Sequence, residues 1–226
     1  YFDGGNENKE KKLYKEWITS ENICEVFDKY KIPINLEVVS IDIDSCDLWV
    51  MDSILKKYKP MVIVIEYNGS FPKEYAITMK NINSFHYNGQ RAFGTSPKAI
   101  KLVGEKYNYS VVFVMHDVFL IHNDYLTNTN IPIFNELGEG KVGFRDTFHQ
   151  PCLSGRENIL IDYENFLETN DIYKAQEHCK ETVLKYCSYK PLINHNILLN
   201  NQDQRRNYNE ITDNYFNEVC AIMTCS

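Results

Sequence analysis

Asp42, Asp44 and Asp47 fall within six residues at the end of the β-branched run Leu36-Glu37-Val38-Val39-Ser40-Ile41-Asp42-Ile43, and Glu66 ends the next such run, Met61–Ile65. Hard cations take several carboxylate oxygens at short range. Asp42, Asp44 and Glu66 are therefore the candidate divalent-cation set, with Asp47 as a possible fourth group. Asp44 is also the candidate catalytic residue, as a general base or a substrate-facing carboxylate. A plainer reading stands beside these: Asp47 caps the next helix, Asp42 lies in a hydrogen-bonded turn, and the acids only mark strand ends.

The remaining reactive groups form no comparable set. Seven cysteines (24, 46, 152, 179, 187, 220 and 225) never make a C-x-x-C pair, which argues against a structural zinc site. Nothing in the spacing pairs Cys46 with any of the six histidines as a nucleophile, so a half-buried thiol is expected. His149-Gln150-Pro151-Cys152 matches no metal spacing. Cys179 and Cys187 share a helix face but lie ~12 Å apart by helix rise, too far to bond. Cys220 and Cys225 would pair, or reach Cys152, in an oxidising compartment. Asn68-Gly69-Ser70 and Asn108-Tyr109-Ser110 are glycosylation triplets, which leaves a secretory route open. Asn68 is either a site residue after its strand or a glycan carrier, and the two exclude each other.

These groups must be positioned by an α/β framework. Lys9–Trp17 reads as a charged surface helix. Ser20 reads as the N-cap of a helix carrying Ile23, Val26, Phe27 and Tyr30, closed by Pro33. After the first strand, Leu48, Met51, Ile54, Leu55 and Tyr58 give a helix its apolar face. Met61–Ile65 is apolar on both faces, as buried parallel strands are. A polar loop follows, then Ser96-Pro97 opens a helix with cap and N1 proline in place. Tyr109–Met115 and Val118–Ile121 are separated only by His116-Asp117, so they must be antiparallel. The chain thus divides into an α/β part, 1–124, and a loop and helical extension, 125–226. In the extension, Asn158–Asn170, Ile172–Tyr186 and Tyr208–Met223 each fit a helix, set to pack on one sheet face or to form a small cap.

Composition narrows the function classes. With 43% hydrophobic and 13% aromatic residues, the 226-residue chain can build a core. Thirty-one acidic against 24 basic residues give a net charge of −7, and no broad basic face for nucleic acid is expected. No apolar run exceeds five residues, far short of the ~20 a spanning helix needs, so no membrane span is expected.

Three segments carry a resemblance: Thr19-Ser20-Glu21-Asn22-Ile23; Ser40-Ile41-Asp42-Ile43-Asp44-Ser45-Cys46-Asp47-Leu48-Trp49; and Val64-Ile65-Glu66-Tyr67-Asn68, followed by Gly94-Thr95-Ser96. They resemble a group of class I S-adenosylmethionine-dependent methyltransferases related to the FkbM-like family, whose pattern is S-I-D-[IV]-D-G-N-D-Y-W, then I-E-Y-N, then G-A-S. The resemblance covers residues 19–122, about half the chain. It implies a partial Rossmann-like sheet, with Leu36–Ile43 its fourth strand, Pro60–Tyr67 its fifth and the hairpin its last two. Ligands of such sheets sit beyond the carboxyl ends of the strands, where Asp42, Asp44 and Glu66 fall.

The chain also departs from that pattern. Ser45-Cys46 replaces Gly-Asn and Leu48 replaces Tyr. A glycine lost from a tight turn can redirect the backbone there. The Gly-rich turn that cradles the methyl donor does not occur among the 226 residues. The resemblance places Tyr1-Phe2-Asp3-Gly4-Gly5 near the end of the second strand, which makes Asp3 the candidate cofactor-binding residue, on the donor's ribose. The chain opens without Met, and an upstream segment is expected.

The expectation is a methyltransferase-like domain that acts, without catalysis, as a binding or structural subunit in a protein assembly. The alternative is an active S-adenosylmethionine-dependent enzyme, methylating oxygen or nitrogen of a small-molecule acceptor, with its donor-binding strand upstream. S-adenosylmethionine is the expected cofactor only in that case, with a divalent cation possible in either. A third reading is a secreted, disulfide-stabilised protein of the same fold.

Overall fold

The computed structural model describes residues 10, 12–69, 71, 74–84, 93–114, 117–127, 129–131, 133 and 158–189, the last seven of these for their backbone only. It is a mixed α/β structure built on a four-stranded mixed sheet. In chain order the elements are α1 (Ile23–Lys29), β1 (Val38–Ile41), α2 (Asp47–Leu55), β2 (Val62–Glu66), β3 (Ile77–Met79), α3 (Pro97–Lys106), β4 (Tyr109–Val114), β5 (Asp117–His122), β6 (Leu160–Asp162), α4 (Tyr163–Thr169) and α5 (Ile172–Tyr189).

The main sheet has the order β1-β2-β5-β4. β1 and β2 are parallel, with Val38 opposite Val62 and Ile41 opposite Ile65. β5 joins β2 antiparallel, ending with Glu66 opposite Asp117, and β4 closes the hairpin. The β-branched residues of these strands alternate between two apolar layers. Val39, Ile41, Ile63, Ile65, Val118 and Leu120 pack with Leu48, Met51 and Ile54 of α2 and Ile100 and Val103 of α3. Val62, Phe113 and Ile121 form the opposite layer with Met61 and Leu126. The parallel pair, the helix between its strands and the closing hairpin all match the pattern read from the sequence.

α3 starts as its sequence dictates: Ser96 Oγ accepts from Ala99 N and Pro97 occupies the first turn. Gly104 lets this helix sit directly on β5, because a Cβ there would stand 2.4 Å from Leu120 Cδ2. Leu120 is fully buried and cannot swing away. Gly104→Ala gains about 1 kcal/mol of helix propensity but forces this contact apart. We expect a net loss of about 1–2 kcal/mol, read from urea unfolding.

Three expectations need correction. The segment around Lys9–Trp17 is not a helix among the described residues (10 and 12–17). Its side chains are drawn to neighbours instead: Tyr14 stacks on Tyr30 at 3.9 Å, Glu16 accepts from Lys29 and Tyr30, and Trp17 Nε1 donates to Asn83 O. Ser20 does not cap α1. Asn22 precedes the helix and exchanges hydrogen bonds with Thr19, while Ser20 Oγ pairs with Asn81.

The third correction falls in Asn158–Asn170, expected to be wholly helical. Leu160–Asp162 is a strand paired antiparallel with β3, which lies in the stretch where the sequence pattern predicts a polar loop. Asp162 ends that strand and caps α4, its Oδ1 accepting from Asn165 N. The helix therefore starts after the cap, and the apolar Ile159-Leu160-Ile161 before it goes to the small sheet. Ile172–Tyr186 is helical as expected, within the longer α5. α4 reaches α2 through aromatic edges, with Trp49 against Tyr163 and Phe166 at 5.8 and 5.7 Å. Tyr208–Met223 lies outside the described residues. Among the described residues no helix is long and apolar enough to cross a membrane.

Candidate functional site

β1 and β2 run side by side and end together, so the residues just past Ile41 and at Glu66 share one rim of the sheet. There the structure brings together Asp42, Asp44 and Glu66, with one carboxylate oxygen from each lying within 4.8 Å of the others. Asp42 is exposed; Asp44 and Glu66 are half-buried. Of the residues expected to bind a cation, these three converge. Asp3 lies outside the described residues, as do Cys152, Cys220 and Cys225. Cys24, Cys46 and Cys179 are free thiols.

Asp47 does not join them. It is 2% exposed, and both its oxygens turn back along the chain: Oδ1 accepts from Ile43 N and Oδ2 from Ser45 N, each at 2.9 Å. It therefore shapes the loop that presents Asp44 and does not cap α2, whose first residue it is: its acceptors face the loop before the helix. The path of that loop also answers the question raised by the missing glycine. The left-handed residue is Asp44, at φ +55°, and Ser45 is not left-handed. Asp tolerates that region better than most residues, so position 45 has no need of glycine.

Cys46, the other departure, precedes α2 and is 3% exposed. Its Sγ accepts from Ile82 N at 3.2 Å and lies 3.4 Å from Ile82 O. Trp49 Nε1, one turn on, donates to Met79 O at 2.8 Å. Together they fasten the acidic loop and the start of α2 to the strand and loop at 79–82. This is a structural thiol, as expected.

The electrostatics follow from crowding like charges in partial burial. Burial pushes Glu66 up to about 8, helped by the negative charges of Asp42, Asp47, Asp44 and Asp117. Burial raises Asp44 as well, with Asp42 adding to it. Asp47 is pushed up to about 6 by burial, against the pull of its backbone N–H bonds. Glu66 thus keeps its proton at neutral pH. The rim has two chemical capacities: to exchange protons through Asp44 and Glu66, or to exchange the Glu66 proton for a cation. Asp117 was missed from sequence; only strand register places it opposite Glu66.

Mg²⁺ demands near-ideal octahedral geometry and gives up its waters reluctantly, whereas Ca²⁺ accepts irregular sets of carboxylate oxygens such as these three, which lie within 4.8 Å of one another. Ca²⁺ is therefore expected to raise the midpoint of thermal unfolding more than equimolar Mg²⁺, with about 2.7 kcal/mol gained at 100 times its Kd. Scanning calorimetry against each ion checks this, and an equal or reversed order contradicts it.

Asn68, two residues past Glu66, is 7% exposed. Its Nδ2 donates to Phe93 O and its N–H to Thr95 O, both at 2.8 Å. It ties the end of β2 to the Gly94-Thr95-Ser96 segment. No family model, curated protein or solved structure matches this chain.

Proposed function

We propose that this chain carries part of a Rossmann-like, methyltransferase-like domain and works as a binding or structural subunit, with the rim of Asp42, Asp44 and Glu66 as its point of ligand contact. The observation that carries the reading is the convergence of these acids at the joined carboxyl ends of two parallel strands, followed in the chain by an antiparallel hairpin. Open α/β sheets bind ligands at that end. A non-catalytic role is favoured by the use made of one departure from the family pattern: Cys46, where the pattern has Asn, fastens the loop to Ile82.

A second reading has its own support. Burial raises both Asp44 and Glu66, Glu66 to about 8, the direction in which general acids and bases are tuned. In an active S-adenosylmethionine-dependent enzyme, Asp44 would take the proton from an acceptor hydroxyl or amine.

Calorimetric titration of the protein as its own gene encodes it, with S-adenosylhomocysteine, separates the two. No binding is expected at concentrations up to the millimolar range. Micromolar binding sinks the non-catalytic reading and puts the enzyme in its place.

A further inference from the structure

The two glycosylation triplets play no part in the rim, and the structure treats them oppositely. The geometry points to Asn108 as an acceptor for an N-linked glycan, and to Asn68 as closed to one. At Asn68 the nitrogen that would carry the sugar is the Nδ2 that donates to Phe93 O at 2.8 Å, and the residue is 7% exposed. A glycan there would break that bond and displace the chain around 93–95 that crosses the end of β2.

Asn108 sits in the turn between α3 and β4, exposed and left-handed at φ +68°. Its Oδ1 accepts from Asn123 Nδ2 at 2.9 Å, and Ser110 Oγ donates to Asn123 Oδ1 at 2.7 Å. Asn123 thereby grips both side chains of the triplet and fixes the Asn108 amide through its oxygen. Among the described residues no hydrogen bond uses Asn108 Nδ2. The middle residue, Tyr109, is buried and donates to Pro60 O at 2.6 Å, which anchors the turn beneath a glycan.

The donor class is an oligosaccharide on a lipid pyrophosphate. Nδ2 bonds to the anomeric carbon and gives one proton to the transferase's base. The anomeric carbon–oxygen bond breaks, and the lipid pyrophosphate leaves with the electron pair.

The test directs the full 226-residue chain into the secretory pathway of a eukaryotic host and compares intact mass before and after peptide-N-glycosidase. One glycan is expected, mapped to the Asn108 peptide, lost in N108Q and kept in N68Q. A secreted chain without any glycan, or one carrying a glycan on Asn68, overturns the proposal. Peptide mapping of the unsubstituted chain decides the site even where N68Q fails to fold.

Discussion

Asp47→Ala is expected to destabilise the protein by about 2–4 kcal/mol, the largest loss of any single change at the acidic rim. The carboxylate is buried and accepts from the N–H groups of Ile43 and Ser45. Alanine leaves two backbone donors without acceptors in a place water reaches poorly. Each such orphan costs about 1–3 kcal/mol. Relief works the other way, because Asp47 is itself held ionised against burial and beside Asp42. That gain offsets only part of the loss, since the two orphaned donors together cost about 2–6 kcal/mol. Asp47→Asn should be almost as costly: its amide offers one oxygen where two are needed, and sets an NH₂ against a backbone N–H. Urea unfolding at pH 7.5, with m unchanged, measures the loss. A loss under about 0.5 kcal/mol would mean that the loop holds its shape without this side chain.

The same variant bears on the cation. Asp44 is presented in a left-handed conformation by the loop that Asp47 braces. Without the brace, Asp44 relaxes toward ordinary backbone and the three rim oxygens no longer hold their spacing. The extra stabilisation expected from Ca²⁺ over Mg²⁺ should then vanish in Asp47→Ala, while Gly104→Ala, which destabilises the fold away from the rim, keeps it.

How far the sequence could foresee this arrangement depended on the range of each interaction. β1, β2 and the hairpin were legible because their signals are local: β-branched runs, apolar on both faces, bounded by polar turns. Ser96-Pro97 was legible for the same reason. β3 and β6 were not, because each has only three residues and they meet across 80 residues of chain. The same limit hid Asp117, whose meeting with Glu66 is a matter of register. The segment around Lys9–Trp17 misled because charged residues at helical spacing equally suit a strap whose tyrosine, glutamate and tryptophan find partners elsewhere. The convergence of Asp42, Asp44 and Glu66 was foreseeable from strand ends alone. The withdrawal of Asp47 from that set depended on where its carboxylate turned, which spacing does not encode.

Glu66→Gln is expected to stabilise the protein above pH 7, where most substitutions at a partly buried site destabilise. Burial and its acidic neighbours push Glu66 up to about 8 in the folded protein, against an ordinary 4.5. A raised folded pKa means that its contribution to stability is fully present below pH 4.5 and is lost as pH rises through 8. The wild-type melting temperature should therefore fall between pH 7 and 8.5. Glutamine keeps the shape of the protonated acid and never ionises, so its variant should lack that part of the fall. The neighbouring groups leave this window clear. Asp47 completes its change near 6. Burial lowers His122, which therefore favours the folded state as pH rises through its ordinary 6.5 and adds nothing above. The buried thiols of Cys46 and Cys179 are pushed up from 9. At pH 8.5, with a chelator present to keep cations off the rim, the variant should be more stable by about 1–2 kcal/mol, a figure reduced for the solvent that reaches a half-buried group. Parallel melting curves over pH 5.5 to 8.5 make the comparison. If the variant melts below the wild type at pH 8.5, the ionised Glu66 is being held by a favourable partner, and crowding of like charges does not govern this rim.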